Sequence, residues 1–144
     1  AGLVSYGRTS LAEAFLVAGK RAEGLRAIDE ALYRNEEAWY LPEQYRLQAE
    51  LLLLEPGHEA QAEGLLLQAL NLTCRQKAWG LELRSALSLS RLYSRQDRQA
   101  EGRSILAASC ARYEADQDSV ELRQARGLLA GAQGATTERR GRRA

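Results

Sequence analysis

The residue types that most often carry out catalysis or bind metals are few and scattered in this 144-residue chain. The one histidine, His58, follows a Pro-Gly turn, and no Ser, Cys or Asp pattern around it would form a nucleophile–base pair. Cys74 and Cys110 are isolated, and no group of His and Cys has the spacing of a metal site. A phosphate-binding loop needs a Ser or Thr after its Gly-Lys pair, whereas Gly19-Lys20 is followed by arginine. We therefore predict no catalytic residue, no metal and no cofactor.

The elements that would position any such residue are helices, because the composition favours them. The chain contains 25 Leu and 24 Ala but few Val, Ile and Thr, and Leu and Ala are strong helix formers whereas β-branched residues favour strands. The length fits one domain. Apolar runs stay well below the roughly 20 residues of a membrane helix, the N-terminus lacks a signal-peptide pattern, and two cysteines do not predict a disulfide framework. We expect a cytoplasmic all-α domain.

Turn residues divide the chain into segments with helical periodicity. The breaks are Gly19, the Pro56-Gly57 turn and a weaker one at residues 94–97. Between them, apolar residues recur at intervals of three and four, as at Leu47 and Leu51. We predict seven helices, over about 3–18, 21–36, 41–55, 58–77, 80–95, 98–115 and 118–131, the last with Asp116 or Asp118 as its N-cap. The chain has no Met, from which we expect a fragment of a longer protein or a processed product.

An internal repeat of about 38 to 40 residues is visible in the small residues. The string Ala-Glu-Gly ends at Gly24, Gly64 and Gly102. Small residues at facing points of two antiparallel helices allow the backbones to approach closely. The pairs that we expect to face one another are Ala12 with Gly24, Ala49 with Ala62, and Ser90 with Gly102. The second pair shows that the middle Ala-Glu-Gly is two residues out of register with the other two.

The first unit carries the pattern most fully, in Leu11-Ala12, Phe15, Gly24, Ile28 and Ala31-Leu32. This pattern resembles the tetratricopeptide repeat (TPR), in which two antiparallel helices, A and B, form each unit. The units here exceed the usual 34 residues and lack the Pro that closes helix B. The resemblance implies a right-handed stack of about three TPR-like hairpins, at about 3–38, 39–78 and 79–116, with a capping helix at 118–131. Residues 132–144 would then form a basic, disordered tail.

Longer segments spread over nearly the whole chain carry a closer resemblance. They include Trp39-Tyr40-Leu41-Pro42-Glu43, Glu50-Leu51-Leu52-Leu53-Leu54, Leu81-Glu82-Leu83-Arg84-Ser85-Ala86, and residues 34–37, 68–70, 89–92 and 118–125. These segments resemble the C-terminal TPR-like region of large bacterial signalling proteins. The resemblance implies a parent protein with a predicted ATPase and an output module that precede this region. The output would be either a class III adenylate or guanylate cyclase or a winged-helix DNA-binding domain.

A surface is therefore the predicted functional feature. In a stack of helical hairpins the A helices line a groove, and repeat proteins bind partners there. The residues that we expect to line it are Tyr6, Thr9, Glu13, Leu16, Glu43, Arg46, Glu50, Leu53, Arg84, Leu87, Arg91 and Ser94. Their charges run from acidic in the first two units to basic in the third, which suits a polypeptide of mixed charge. Trp39 and Trp79 precede A helices and either pack between units or anchor a partner.

The net charge of +1 hides a contrast between the domain and the tail. Residues 1–137 contain 16 basic and 18 acidic residues, whereas residues 138–144 contain four Arg and one Glu. A nucleic-acid-binding core is therefore not expected. Any contact with nucleic acid or anionic lipid is expected to be weak and to involve only the tail arginines, Arg139, Arg140, Arg142 and Arg143.

Three functional hypotheses follow from these observations. The first is a non-catalytic interaction and regulatory module of a bacterial signalling protein, which binds a polypeptide or a neighbouring domain along the A-helix groove. The second is the C-terminal part of a nucleotide cyclase that adds no catalytic group. The third is the C-terminal part of a DNA-binding regulator. The sequence that precedes this segment would discriminate between the last two, and an uncapped end of the stack could also form a homodimer.

Overall fold

All regular secondary structure in the described part of the chain is helical. The computed structural model describes the backbone of residues 2–34 and 38–141, and the side chains of residues 6–34 and 38–131. The helices are α1 (Gly2–Val17), α2 (Arg21–Arg34), α3 (Leu41–Leu52), α4 (Glu59–Gln76), α5 (Trp79–Arg95), α6 (Gln99–Cys110) and α7 (Val120–Gly141). A short 3-10 turn, Ala38–Tyr40, leads into α3. The predictions of an all-α fold and of seven helices over these residues are confirmed.

The helices pack in two layers. Each helix contacts the next one in sequence, because the connections between them are short and force neighbouring helices to run antiparallel. In addition, α1 contacts α3, α3 contacts α5, and α5 contacts α7. These four helices form one layer, and α2, α4 and α6 each pack on the two helices that flank them.

Among the described residues, the core consists of three apolar clusters that follow one another along the chain. The first joins α1, α2 and α3, the second joins α3, α4 and α5, and the third joins α5, α6 and α7. Their largest fully buried members are Ile28, Leu47 and Leu51, then Leu66, Leu89 and Leu92, then Leu83, Leu106 and Leu122. Each such side chain stabilises the fold by roughly 1.5–3 kcal/mol relative to an exposed one.

The three Ala-Glu-Gly strings differ in their packing, although the registers of Gly24 and Gly102 predict the same kind of contact for both, with Ala12 and with Ser90. A Cβ at Gly102 would lie 3.1 Å from the Ser90 Cα, which confirms the predicted close approach of α5 and α6. A Cβ at Gly24 would lie 2.3 Å from Leu51 Cδ2, so the space beside this glycine is filled by α3 of the following hairpin. Nothing lies within 4 Å of a Cβ at Gly64, and the fully buried small residue of that helix is Ala62.

Helix α3 ends three residues earlier than predicted, at Leu52. The next amides, of Leu54 and Glu55, bond to carbonyls three residues back, which closes the helix in tight turns. Pro56 accounts for this end, because a proline disfavours helical backbone at Glu55 and has no amide to donate to the Leu52 carbonyl four residues back.

The link between α6 and α7 is longer than predicted. Helix α6 ends at Cys110, the amides of Arg112 and Tyr113 bond to carbonyls three residues back, and α7 begins at Val120. The hydroxyl of Ser119 accepts the amide of Leu122 (3.0 Å), so the side chain that caps α7 is Ser119 and not Asp116 or Asp118.

Helix α7 continues to Gly141, ten residues past the predicted end of the capping helix at 131. Of the tail arginines, Arg139 and Arg140 fall within this range, but their side chains lie outside the described residues, as do Arg142 and Arg143 altogether. The predicted role of this tail stays a prediction.

Helix α4 ends with a non-glycine residue in the left-handed conformation, Lys77, whose φ is 54°. Replacing Lys77 with glycine should raise the free energy of unfolding by about 1 kcal/mol, because only glycine adopts this backbone without strain. The matched control is Arg75→Gly, two residues earlier inside α4, which should lower the free energy of unfolding by about 1 kcal/mol. Urea unfolding followed by circular dichroism measures both, and effects of the same sign would contradict the prediction.

Candidate functional site

Three aromatic side chains meet where α3 begins. The ring centroids of Trp39 and Tyr40 are 4.9 Å apart, and those of Tyr40 and Tyr6 are 5.8 Å apart. The side-chain amide of Gln76, in the last turn of α4, donates to the Ala38 carbonyl (3.0 Å) and holds the turn that carries Trp39. Trp39 is 57% exposed and Tyr6 is 53% exposed. The cluster therefore presents aromatic surface to solvent.

A pocket of about 670 Å³ opens beside Trp39 at the start of α5. Its lining includes Trp39, Trp79, Leu81, Leu83, Arg84, Tyr113 and Glu121. The ring of Trp79 is fixed because the Arg112 guanidinium lies 4.4 Å from its centroid. Glu82 holds Arg112 in turn, through a hydrogen bond of 3.0 Å. Preorganised aromatic walls with few charged groups are typical of sites that bury a large side chain of a ligand.

A network of charged side chains next to this pocket connects α1, α3 and α5. Arg46 donates two hydrogen bonds to Glu43, of 2.9 and 2.7 Å. Arg84 Nη2 lies 3.0 Å from an oxygen of Glu43 and 3.0 Å from one of Glu13. Glu43 is only 1% exposed, and a buried carboxylate is tolerated only when it is paired. The network thus fixes the guanidinium of Arg84 in the lining of the pocket.

The network also shifts the pKa of Arg46, which is one of its members, and of Tyr40, which lies beside it. Burial lowers the pKa of Arg46, but its hydrogen bonds to Glu43 and the charge of Glu43 raise it, and the net effect is a raised pKa. Burial raises the pKa of the Tyr40 hydroxyl, and the charge of Glu43 adds to this effect. At neutral pH, Arg46 is therefore a cation and Tyr40 is a neutral hydrogen-bonding group.

A second pocket, of about 470 Å³, lies towards the other end of α5. Its lining includes Glu50 from α3, Ser88, Arg91, Ser94 and Arg95 from α5, and Leu128 from α7. Arg91 donates to the neutral side chain of Gln124 (3.1 Å), and no carboxylate among the described residues forms an ion pair with Arg91 or Arg95. This end of α5 therefore carries two guanidiniums that no ion pair holds, beside one carboxylate in the same pocket, that of Glu50.

The two pockets lie along one face of α5. Arg84, Ser88, Arg91 and Arg95 follow one another at the spacing of residues that share a helix face. On the neighbouring α7, Glu121 lines the first pocket and Leu128, seven residues later, lines the second. Helices α5 and α7 therefore run in the same direction. We call the surface of α5 from Trp79 to Arg95, between α3 and α7, the α5 groove.

The predicted groove residues separate into two sets by burial. The exposed or half-buried ones are Tyr6, Glu13, Leu16, Glu50, Leu53, Arg84, Arg91 and Ser94. The buried ones are Thr9, Glu43, Arg46 and Leu87. The expectation that these four side chains face an open surface is wrong, because neighbouring helices in the layer of α1, α3, α5 and α7 pack against one another and cover them. Leu87, for example, belongs to the cluster that joins α5 to α7.

Several residues of the α5 groove are absent from the sequence-based set. Ser88 and Arg95 lie three residues before and four residues after Arg91, so helical spacing alone could have found them. Tyr113 and Leu128 had no such signal, because they lie in other segments that only the fold brings to α5.

Neither His58 nor Cys74 lines the two pockets. The His58 ring nitrogen Nε2 is 3.1 Å from Arg21 Nη2, and Cys74 is exposed with its sulfur 3.8 Å from Arg112 Nη2. Over the described residues, no group of three or more His, Cys, Asp or Glu is placed to hold a metal ion. Within the same residues, no helix combines the length and the apolar character needed to cross a membrane.

Comparison with known proteins gives no further assignment. No family model matches the sequence, and no curated protein or solved structure matches it either.

Proposed function

We propose that this chain is a non-catalytic module that binds a polypeptide along the α5 groove. The observation that carries the proposal is Trp39, a large aromatic side chain that is 57% exposed beside a pocket whose other wall is Trp79. Exposed tryptophans in partly enclosed apolar sites are the residues that most often dominate the affinity of a protein interface. The bound segment would be part of another protein or of a neighbouring domain of the same parent protein.

The proposal includes a TPR-like arrangement of the helices, in a larger bacterial signalling protein. Its support is the sequence resemblance together with the packing order, in which α1, α3, α5 and α7 contact one another in turn while α2, α4 and α6 form the other layer. In such an arrangement the first helix of each hairpin contributes to one binding surface. The α5 groove belongs to that surface.

The groove is suited to binding because its walls are held before a ligand arrives. Trp79 stacks on Arg112, Arg84 is fixed by Glu13 and Glu43, and the turn of Trp39 is bonded to α4. A rigid site loses little conformational entropy when it binds, which increases the affinity obtained from a given contact area.

The proposal can be tested with peptides selected for binding to the whole chain. A random 12-residue library displayed on phage is panned on the immobilised protein, and enriched peptides are synthesised with a fluorescent label. Fluorescence anisotropy should show that Trp39→Ala raises the Kd at least about tenfold, because truncation of an aromatic anchor typically removes more than 1.4 kcal/mol of binding free energy.

The matched control is Tyr33→Ala. Tyr33 is an aromatic residue of α2 that is 92% exposed and lies outside the groove. Its loss should change the Kd less than twofold, and both variants should unfold at the same urea concentration as the wild type. If the two variants bind the selected peptides equally well, the groove is not the binding site and the proposal is wrong.

A further inference from the structure

We infer that the polypeptide bound in the α5 groove carries an aromatic or apolar residue at one end and an acidic residue about five or six positions away. The aromatic residue would enter the pocket of Trp39 and Trp79, and the acidic side chain would lie against Arg91 and Arg95. This inference rests on the proposed function and adds the chemical class of the ligand.

The spacing follows from the length of the groove. Trp79 and Arg91 are separated by twelve residues of α5, which corresponds to about 18 Å at a helical rise of 1.5 Å per residue. An extended peptide advances about 3.3 Å per residue, so about five or six residues cover this distance. A peptide that fills both pockets therefore needs its two specific side chains at this separation.

The charges at the two ends of the groove determine which end accepts the acidic residue of the ligand. At the aromatic end, Arg84 is already paired with Glu13 and Glu43, and Glu121 adds a further carboxylate to the pocket. An acidic side chain would be repelled there. At the other end, Arg91 and Arg95 line a pocket whose lining contains one carboxylate, that of Glu50, and the charge of Glu59 on α4 also acts on Arg95. The two guanidiniums still form no ion pair with a carboxylate of the described residues. An acidic side chain of the ligand is therefore favoured only at the pocket of Arg91 and Arg95.

A buried hydroxyl points to the same ligand. Ser88 lines the second pocket, is only 2% exposed, and its Oγ has no hydrogen-bond partner among the described residues. A buried polar atom without a partner costs free energy, which a bound acceptor would recover. A carboxylate can accept from Ser88 and from the arginines together, whereas an ammonium group can accept from neither.

The test uses the peptides selected on the whole chain. Enriched sequences should place Asp or Glu five or six positions from an aromatic or large apolar residue. The double variant Arg91→Gln, Arg95→Gln should raise the Kd about tenfold, and Glu→Gln in the peptide should do the same on the wild type. Both changes remove the same interaction. The Glu→Gln peptide should therefore bind the double variant no more weakly than the unaltered peptide does. The matched control, Arg26→Gln with Arg75→Gln on exposed positions of α2 and α4, should leave the Kd unchanged.

Each contrary outcome has a separate meaning. If neutral peptides bind as tightly as acidic ones while Trp39→Ala still weakens the binding of both, the inference is overturned and the proposed function stands. If a peptide binds equally well after its acidic residue is moved three positions, the predicted separation of five or six positions is wrong. If Trp39→Ala has no effect, the proposed function fails, whatever the peptide charge. If sedimentation shows self-association of the chain that the double arginine variant abolishes, the occupant is a second copy and the inference is overturned.

Discussion

Replacing Glu43 with alanine should lower the free energy of unfolding by about 3–5 kcal/mol, as is typical when one partner of a buried ion pair is removed. Glu43 is 1% exposed and accepts hydrogen bonds from Arg46, while Arg84 lies 3.0 Å away. Its loss leaves the Arg46 guanidinium, in a residue only 8% exposed, without its carboxylate partner. Urea unfolding followed by circular dichroism measures the change.

The matched control for Glu43 is Glu55→Ala. Glu55 forms an ion pair with Arg21 (3.2 Å), but its side chain is 61% exposed, so its loss should cost less than about 1 kcal/mol. A second variant separates charge from packing. Glu43→Leu with Arg46→Met removes both charges, and it should recover more than half of the lost stability because apolar side chains of similar size can replace a buried pair. If Glu43→Ala is no more destabilising than Glu55→Ala, the network does not hold the three helices together.

Replacing Gly102 with leucine should lower the free energy of unfolding by about 1–3 kcal/mol or more, although leucine is the better helix former. A Cβ at this position would lie 3.1 Å from the Cα and 3.2 Å from the carbonyl oxygen of Ser90. These are backbone atoms of α5, so the contact can be relieved only if α5 and α6 move apart. Such a movement would also disturb the cluster around Leu106 and Leu122.

Gly64 provides a control of the opposite sign. It also follows Ala-Glu in the second helix of a hairpin, but nothing lies within 4 Å of its Cβ position. Gly64→Leu should therefore raise the free energy of unfolding by about 0.5–1 kcal/mol, because it gains helix propensity without a steric cost. A loss of stability at Gly64 as large as that at Gly102 would show that the close approach of α5 and α6 is not what distinguishes them.

These two effects bear on the proposed binding site because they act on its supports. Glu43 fixes Arg84 at the aromatic end of the α5 groove. Gly102 lets α6 pack closely on α5, beside Ser90, which lines the second pocket. We therefore expect both replacements to raise the Kd for the selected peptides, even when most of the protein remains folded.

The sequence by itself determined the class of the fold. A high Leu and Ala content with apolar residues every three or four positions leaves few alternatives to amphipathic helices, since each helix must bury one face. The same local information identified Trp39 and Trp79 as candidate anchors, and it showed that Gly64 is out of register with Gly24 and Gly102. Helix ends were less well determined, because Pro56 and Ser119 each shift a boundary by a few residues.

Only the tertiary structure decided which polar residues remain available to a ligand. Glu43 and Glu50 lie seven residues apart on the same face of α3, and the sequence treats them alike. Glu43 is enclosed by Arg46 and Arg84, whereas Glu50 lines a pocket. The physical reason is that periodicity reports which residues share a face of one helix. It does not report which part of that face a second helix covers, and this depends on contacts between residues distant in the chain.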